Sequence, residues 1–308
     1  MAISMIHDFD QLLSYVATLP KKRVVVVNPG NAETFAAIVD SQNKLNVEFA
    51  LIGDSAVISN GLHDAGSNAA LFQIHDKKDV SDALQYSLSL VRNGLGNILM
   101  KGSVDTSTMM KSVLAEGSGL RTGRLLTDIF IMEYPHRTGN RFVMITDGGM
   151  TLAPDLTNKI ELVRNAVEVA HALGNAMPKV AILSATEFVL PNLPSTLDAA
   201  ALSKMNERGQ IKGCIIDGPL ALDNALSPEA AEEKGIHSPV AGKAEILVAA
   251  NIESANSLAK STTYFADMRL AHVIVGARIP ILIPSRADKS DAKLLSVAMG
   301  IVMSSAPS

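Results

Sequence analysis

The stretch NILMKGSVDTS, Asn97–Ser107, sets the reading of the whole chain. Within Asn97–Met100, Ile98-Leu99-Met100 is a short unbroken apolar run, as a strand buried on both faces should be. Lys101-Gly102-Ser103-Val104 turns the chain, and Asp105 opens a helical pattern. A strand that runs through a polar loop into a helix is the repeating unit of a parallel, helix-covered sheet.

The same rhythm extends in both directions. Upstream, Arg23–Val27, Val47–Ile52 and Ala70–Ile74 read as strands, with helices from Asn31, Ser55 and Val80. Downstream, the strands are Phe142–Thr146, Val180–Leu183, Cys214–Asp217, Glu245–Ala249, Val273–Val275 and Pro280–Ile283. Leu156, Ile160, Val163, Val167 and Ala170 form one apolar face of a helix. Asn158 with Glu161 resembles a capping-box start and Gly174 a stop. A last helix from near Asp288 should bury Leu294, Val297 and Ile301. Tyr134–Arg141, with Pro135, Gly139 and Asn140, is the best break between two α/β halves. Such chains commonly hold a ligand near strand carboxyl ends, in a cleft between domains.

Composition bounds the partners. The chain has 308 residues, 47% hydrophobic and 19% charged, with net charge −4 and no tryptophan. No basic run is interleaved with aromatics, so nucleic acid is not expected as a partner. The single cysteine, Cys214, allows no disulfide within the chain. Met1–Gln11 carries Asp8 and Asp10 and does not read as a signal peptide. Leu294–Met303 is too short to cross a bilayer. The expectation is a cytoplasmic protein with no membrane anchor.

Several chemistries lack their signatures. There is no GxxxxGK[ST] phosphate loop and no HExxH. Gly94-Leu95-Gly96 begins a dinucleotide-type turn, but Leu99 stands where the third glycine belongs, and Gly117, Gly119 and Gly123 are wrongly spaced. Ser118 lies between glycines without the GxSxG elbow. Cys214, in an apolar strand, reads as a packed thiol.

Three strand-end loops carry polar groups suited to an anion. The first is Lys101–Ser107, where Gly102 permits a tight turn and hydroxyls precede a helix amino terminus, with Lys101 and Lys111 adding charge. The second is Pro284–Asp291, where Arg286 offers a fork for phosphate oxygens. The third is Asn251–Asn256. Ordinary capped helix starts would use the same residue types: Asp105 or Thr106 in the first loop, Asp288 or Ser290 in the second, and a capped helix start of the same kind in the third. Asp147-Gly148-Gly149 and Asp217-Gly218-Pro219 read as turns.

Five segments together resemble the phosphate acetyl/butyryltransferase family, most closely its phosphate butyryltransferase branch. They are LMKGSVDTSTMMK (99–111), GLRTGRLLTD (119–128), LSKMNERGQIKGCIIDGPLALDNA (202–225), AGKAEILVAANIESAN (241–256) and VGARIPILIPSRAD (275–288). The resemblance implies two α/β domains with largely parallel sheets and an active-site cleft between them, like isocitrate and isopropylmalate dehydrogenases. The final helix would return to the first domain, giving 1–138 plus 286–308 and 139–285. It implies homo-oligomers, dimers being the common unit, and reversible acyl transfer between coenzyme A and phosphate. Coenzyme A would be substrate and product, with no bound cofactor or metal, and an acyl phosphate kinase the metabolic companion.

By that resemblance Ser285 would hydrogen-bond the reacting centre and Arg286 would bind phosphate. Lys101, Gly102, Thr106 and Ser107 would line the phosphate pocket. Lys111 takes the place of a family arginine across a one-residue gap. Asn251, Glu253 and Asn256 would line the substrate site. Acetyltransferase relatives place an aspartate base where this chain has Ala292, leaving Asp291 or Asp288 as candidates, Asp291 being the smaller displacement. The third loop reads Asn251-Ile252-Glu253-Ser254-Ala255-Asn256 where butyryltransferases typically have D-I-E-A-G-N. The rival enzyme reading, a decarboxylating dehydrogenase, lacks the clustered aspartates that hold its metal. A coenzyme A sensor without turnover is the rival outside enzymology.

Overall fold

The computed structural model describes residues 4–135 and 137–306. In chain order the elements begin α1 (Phe9–Val16), β1 (Lys22–Val27), α2 (Ala32–Lys44), β2 (Val47–Gly53), α3 (Ser55–Asp64), β3 (Gln73–Asp76), α4 (Val80–Arg92), β4 (Ile98–Lys101) and α5 (Thr106–Leu114). They continue with β5 (Thr127–Glu133), β6 (Phe142–Thr146), α6 (Leu156–Ala172), β7 (Lys179–Leu183), α7 (Pro194–Glu207), β8 (Ile215–Leu220), α8 (Leu222–Leu226) and α9 (Pro228–Glu233). The last are β9 (Ile246–Val248), α10 (Ile252–Tyr264), β10 (Leu270–Val275), β11 (Ile281–Leu282) and α11 (Ser290–Ser305).

Two compact units result. The first gathers Phe9–Arg124 with the chain from Ala271 onward. Its strands lie in the order β3-β2-β1-β4-β11-β10. Pairing is parallel from β3 through β11, and β10 runs antiparallel to β11. From β1 the chain steps outward through β2 and β3, then returns to place β4 on the other side of β1. The gap between the carboxyl ends of β1 and β4 is therefore a topological switch point, the usual ligand position in such sheets. Val24–Val27 are fully buried, as a β-branched run covered on both faces should be. Helix α11 packs against α1 and α2 and is buried without a break from Lys293 to Met303. Its apolar character all round suits that central place.

The second unit is Leu125–Leu270 with the residues up to Asp8. Its strand order is β5-β6-β9-β7-β8, with β5 and β6 antiparallel and the others parallel. Phe130, Val143, Ile145 and Leu247 lie in its core. Asn165 on α6 is fully buried and donates to Leu125 O at 2.8 Å and Thr127 Oγ1 at 2.6 Å, fixing α6 to the start of β5.

These units differ from the expected 1–138 plus 286–308 and 139–285. Tyr134–Arg141 is a hairpin connection rather than a domain break. Glu133 pairs with Phe142 across β5 and β6, and Tyr134 N donates to Arg141 O at 2.7 Å. The other limit moves because β11 pairs with β4, Ile281 beside Leu99. At α6 the capping box is Asp155 with Asn158, not Asn158 with Glu161. Gly174 does end that helix, at φ +83°.

Candidate functional site

In the first unit, three loops leave the carboxyl ends of neighbouring strands β1, β4 and β11. The first two are locked together. Gly102 N donates to Val27 O at 2.9 Å, and Ser103 N to Asn28 O at 2.6 Å. A Cβ at position 102 would lie 2.4 Å from Asn28 O, so this approach of backbone to backbone requires glycine. Asn28 holds φ +52°, a left-handed conformation that asparagine tolerates. Asn28 had carried no functional expectation, although Asn-Pro-Gly after a strand is a turn signal.

Lys101 ends β4 with its side chain buried and its Nζ 3.3 Å from Gly102 O. Burial pulls its ammonium pKa down, and the nearby Arg286 and Lys293 charges act in the same direction. Asp105 is the N-cap of α5 but makes no side-chain capping bond. Its carboxylate instead lies 3.5 Å from Arg286 Nη2, both side chains being well exposed. An exposed pair of this kind contributes little stability. Thr106 is half-buried and Ser107 exposed in the first turn, whereas Lys111 lies exposed in the last turn of α5.

The β11 loop forms a tight turn. Asp288 Oδ2 accepts the Ser285 N–H at 2.7 Å, and Asp288 N donates to Ser285 O at 3.2 Å. Lys293 Nζ donates to the Asp288 carbonyl, and His272 Nε2 lies 3.9 Å from Asp288 Oδ2. Glu33 Oε2 accepts the Ser290 N–H at 3.0 Å, so a carboxylate from α2 serves the amino end of α11. Ser285 is half-buried, and Arg286 and Asp291 are exposed. Lys101, Ser285 and Arg286 thus lie at the carboxyl ends of the neighbouring strands β4 and β11, with Gly102 and the start of α5. Asp288 is occupied within its own turn. Lys293 and Glu33, which had carried no functional expectation, support that turn.

The second unit has a comparable pair of loops after β6 and β9. Asp147 is a hub: its Oδ1 accepts N–H groups from Asp128 at 3.2 Å, Gly149 at 3.0 Å and Met150 at 3.0 Å, and Oδ2 accepts Thr151 N–H at 3.0 Å. Burial pushes this carboxyl up to about 6. The Asp128 charge adds to the rise, while the backbone donors, Gly149 foremost, restrain it. Asn256 Nδ2 donates to Gly148 O at 2.8 Å, joining the two loops. Asn251 is the N-cap of α10 in a reciprocal box with Ser254. Asparagine caps as well as aspartate, so the departure from the family's aspartate keeps this helix start intact. Glu253 is exposed in the first turn.

Burial pushes the Cys214 thiol up to about 11, consistent with a packed, unreactive group. Among the described residues, no group of three or more His, Cys, Asp or Glu is placed to hold a metal ion. No helix among them is long and apolar enough to cross a membrane.

Cationic and hydroxyl groups thus stand beside the switch point of this α/β sheet. The sequence model of the phosphate acetyl/butaryl transferase family matches residues 57–301. Phosphate butyryltransferase of Clostridium beijerinckii is 39% identical over 299 residues, 97% of this chain and 98% of that protein. Phosphate acetyltransferase of Rhizobium meliloti is 38% identical, covering 94% and 92% of the two chains. A branched-chain phosphotransacylase from Enterococcus faecalis V583 superposes with TM-score 0.81 at 28% identity, over 92% of this chain and 99% of that one. The chain belongs to the phosphate acetyl/butaryl transferase family and is an acyltransferase.

Proposed function

We propose that this chain reversibly transfers a short acyl group, butyryl or acetyl, between coenzyme A and inorganic phosphate. In one direction a phosphate oxygen attacks the thioester carbonyl carbon, the C–S bond breaks, and the thiolate takes a proton. In the other, the deprotonated thiol attacks the acyl phosphate carbon and phosphate leaves with the C–O bonding pair. A free thiol with pKa about 8.5 is only a few per cent ionised at neutral pH, so a nearby base speeds this direction.

Arg286 and Lys101 supply the cationic charge for phosphate. The Ser285 hydroxyl hydrogen-bonds the reacting centre as charge develops on the carbonyl oxygen. Gly102, Thr106 and Ser107 line the phosphate position, and Lys111 adds charge from farther along α5. Asn251, Glu253 and Asn256 contribute to the substrate site of the second unit. Asp291 is the base, because the Asp288 carboxylate is already committed to the Ser285 N–H. The observation carrying this reading is the convergence of Lys101, Ser285 and Arg286 at the ends of β4 and β11.

Coenzyme A enters as substrate and product, and no step of the scheme draws on a resident cofactor. The working unit is a homodimer in the cytoplasm, coupled to an acyl phosphate kinase that consumes the product. The test is thiol release from butyryl-CoA and acetyl-CoA, with and without phosphate. Phosphate-dependent release, reduced at least ~10-fold by Arg286→Ala, is expected. Absence of phosphate-dependent release from any short acyl-CoA would sink the proposal and favour coenzyme A binding without turnover.

A further inference from the structure

Lys293 lies in the first turn of α11 and is only 1% exposed. Leu294, Leu295 and Val297 continue the same buried helix. An ammonium there gives up its water, and an apolar side chain of similar shape would commonly fill such a place at no loss of stability. The charge is accounted for by what it holds. Its Nζ donates to the Asp288 carbonyl, and Asp288 Oδ2 takes the Ser285 N–H at 2.7 Å. Burial lowers the Lys293 pKa, while the Asp288 and Glu33 carboxylates favour the charged form. Glu33 also takes the Ser290 N–H at 3.0 Å, at the far end of the same turn. Arg286, by contrast, has a 69% exposed side chain whose Asp105 contact spans 3.5 Å. That tether is too weak to fix a long side chain, so the placement of Arg286 follows the backbone of its turn.

We infer that Lys293 is a positioning residue for the acyl-transfer reaction, clamping the 284–289 turn through the Asp288 carbonyl so that Ser285 and Arg286 meet phosphate in one fixed geometry. This rests on the function proposed above and adds a residue to it. Lys293 acts through the turn and not by touching substrate.

The test compares the full-length wild type with Lys293→Met, which keeps the volume and removes the donor. The phosphate KM should rise roughly 10-fold or more, with the butyryl-CoA KM within about twofold. Peptides spanning 284–289 should exchange amide hydrogen faster in the variant, with the rest of the chain unchanged. Lys293→Met added to Arg286→Ala should cost less than about threefold further, since both act on one element. An unchanged phosphate KM, or equal losses for both substrates, overturns the inference. If the wild type itself shows no turnover, the acyl-transfer reading fails, and the clamp is judged by exchange alone: faster exchange at 284–289 retains it and unchanged exchange overturns it. Should Lys293→Met not fold, Lys293→Leu removes the same donor to the Asp288 carbonyl with a different side-chain shape and carries the same readouts.

Discussion

The Asp288 carboxylate accepts the backbone N–H of Ser285 at 2.7 Å, three residues back along the chain. A carboxylate used to close a turn is poorly placed to collect a substrate proton. Asp288→Ala, which removes the acceptor, should therefore raise the phosphate KM and leave the shape of the pH dependence of kcat intact. Asp291→Ala should instead lower kcat for the coenzyme A-consuming direction by about 10²-fold or more. The reverse pattern in steady-state pH profiles would make Asp288 the base.

Gly102 sits where a methyl group would press to 2.4 Å from Asn28 O. Backbone cannot yield there as a flexible side chain would. Gly102→Ala should cost about 1–3 kcal/mol in denaturant unfolding and displace Lys101, with loss of turnover. Stability equal to wild type would mean that the β1 and β4 loops separate without strain.

Asp147 gives a dependence on acidity. Its carboxyl ionises at about 6 in the folded chain against an ordinary 3.8. The folded state therefore holds this proton more tightly than the unfolded chain. The stabilisation is full below the ordinary value and lost as pH rises through about 6, with a size on the order of 3 kcal/mol. Relative to Asp147→Asn, the wild type should gain stability as pH falls from 7 to 4, read by urea unfolding at each pH. A flat difference across that window would show that Asp147 does not titrate there.

Cys214 should resist thiol reagents in the folded protein and react at the rate of unfolding, because burial holds it protonated. Cys214→Ser should leave acyl transfer within about twofold of wild type. Rapid native labelling with loss of turnover would contradict this packing role.

Much of the fold was legible because buried parallel strands announce themselves. Val24–Val27 and Phe142–Thr146 carry no polar interruption, and both form strands as expected. Strand β5 escaped notice because it starts Thr127-Asp128, and a buried aspartate breaks the apolar run. The Tyr134–Arg141 segment misled because a hairpin connection and a linker draw on the same residues, Pro, Gly and Asn. Of the site, the glycine and hydroxyl loop after β4 and the Ser-Arg pair after β11 were visible as polar strand ends. Lys293 was not, since a lysine in a helix ordinarily reads as a solvated charge. Asp147 was hidden for another reason: its partners are backbone N–H groups, which leave no trace in side-chain identity.

The placement of β11 between β4 and β10 also bears on how the protein is made. As the chain leaves the ribosome, β4 appears with one side paired to β1 and the other open. Its second neighbour is encoded some 180 residues later, after all of the second unit. Until then that half-built sheet exposes an unpaired edge, a template for contacts with other nascent chains. Ser285 and Arg286 follow directly on β11, so the closing of this edge and the delivery of the Ser-Arg pair come in one event.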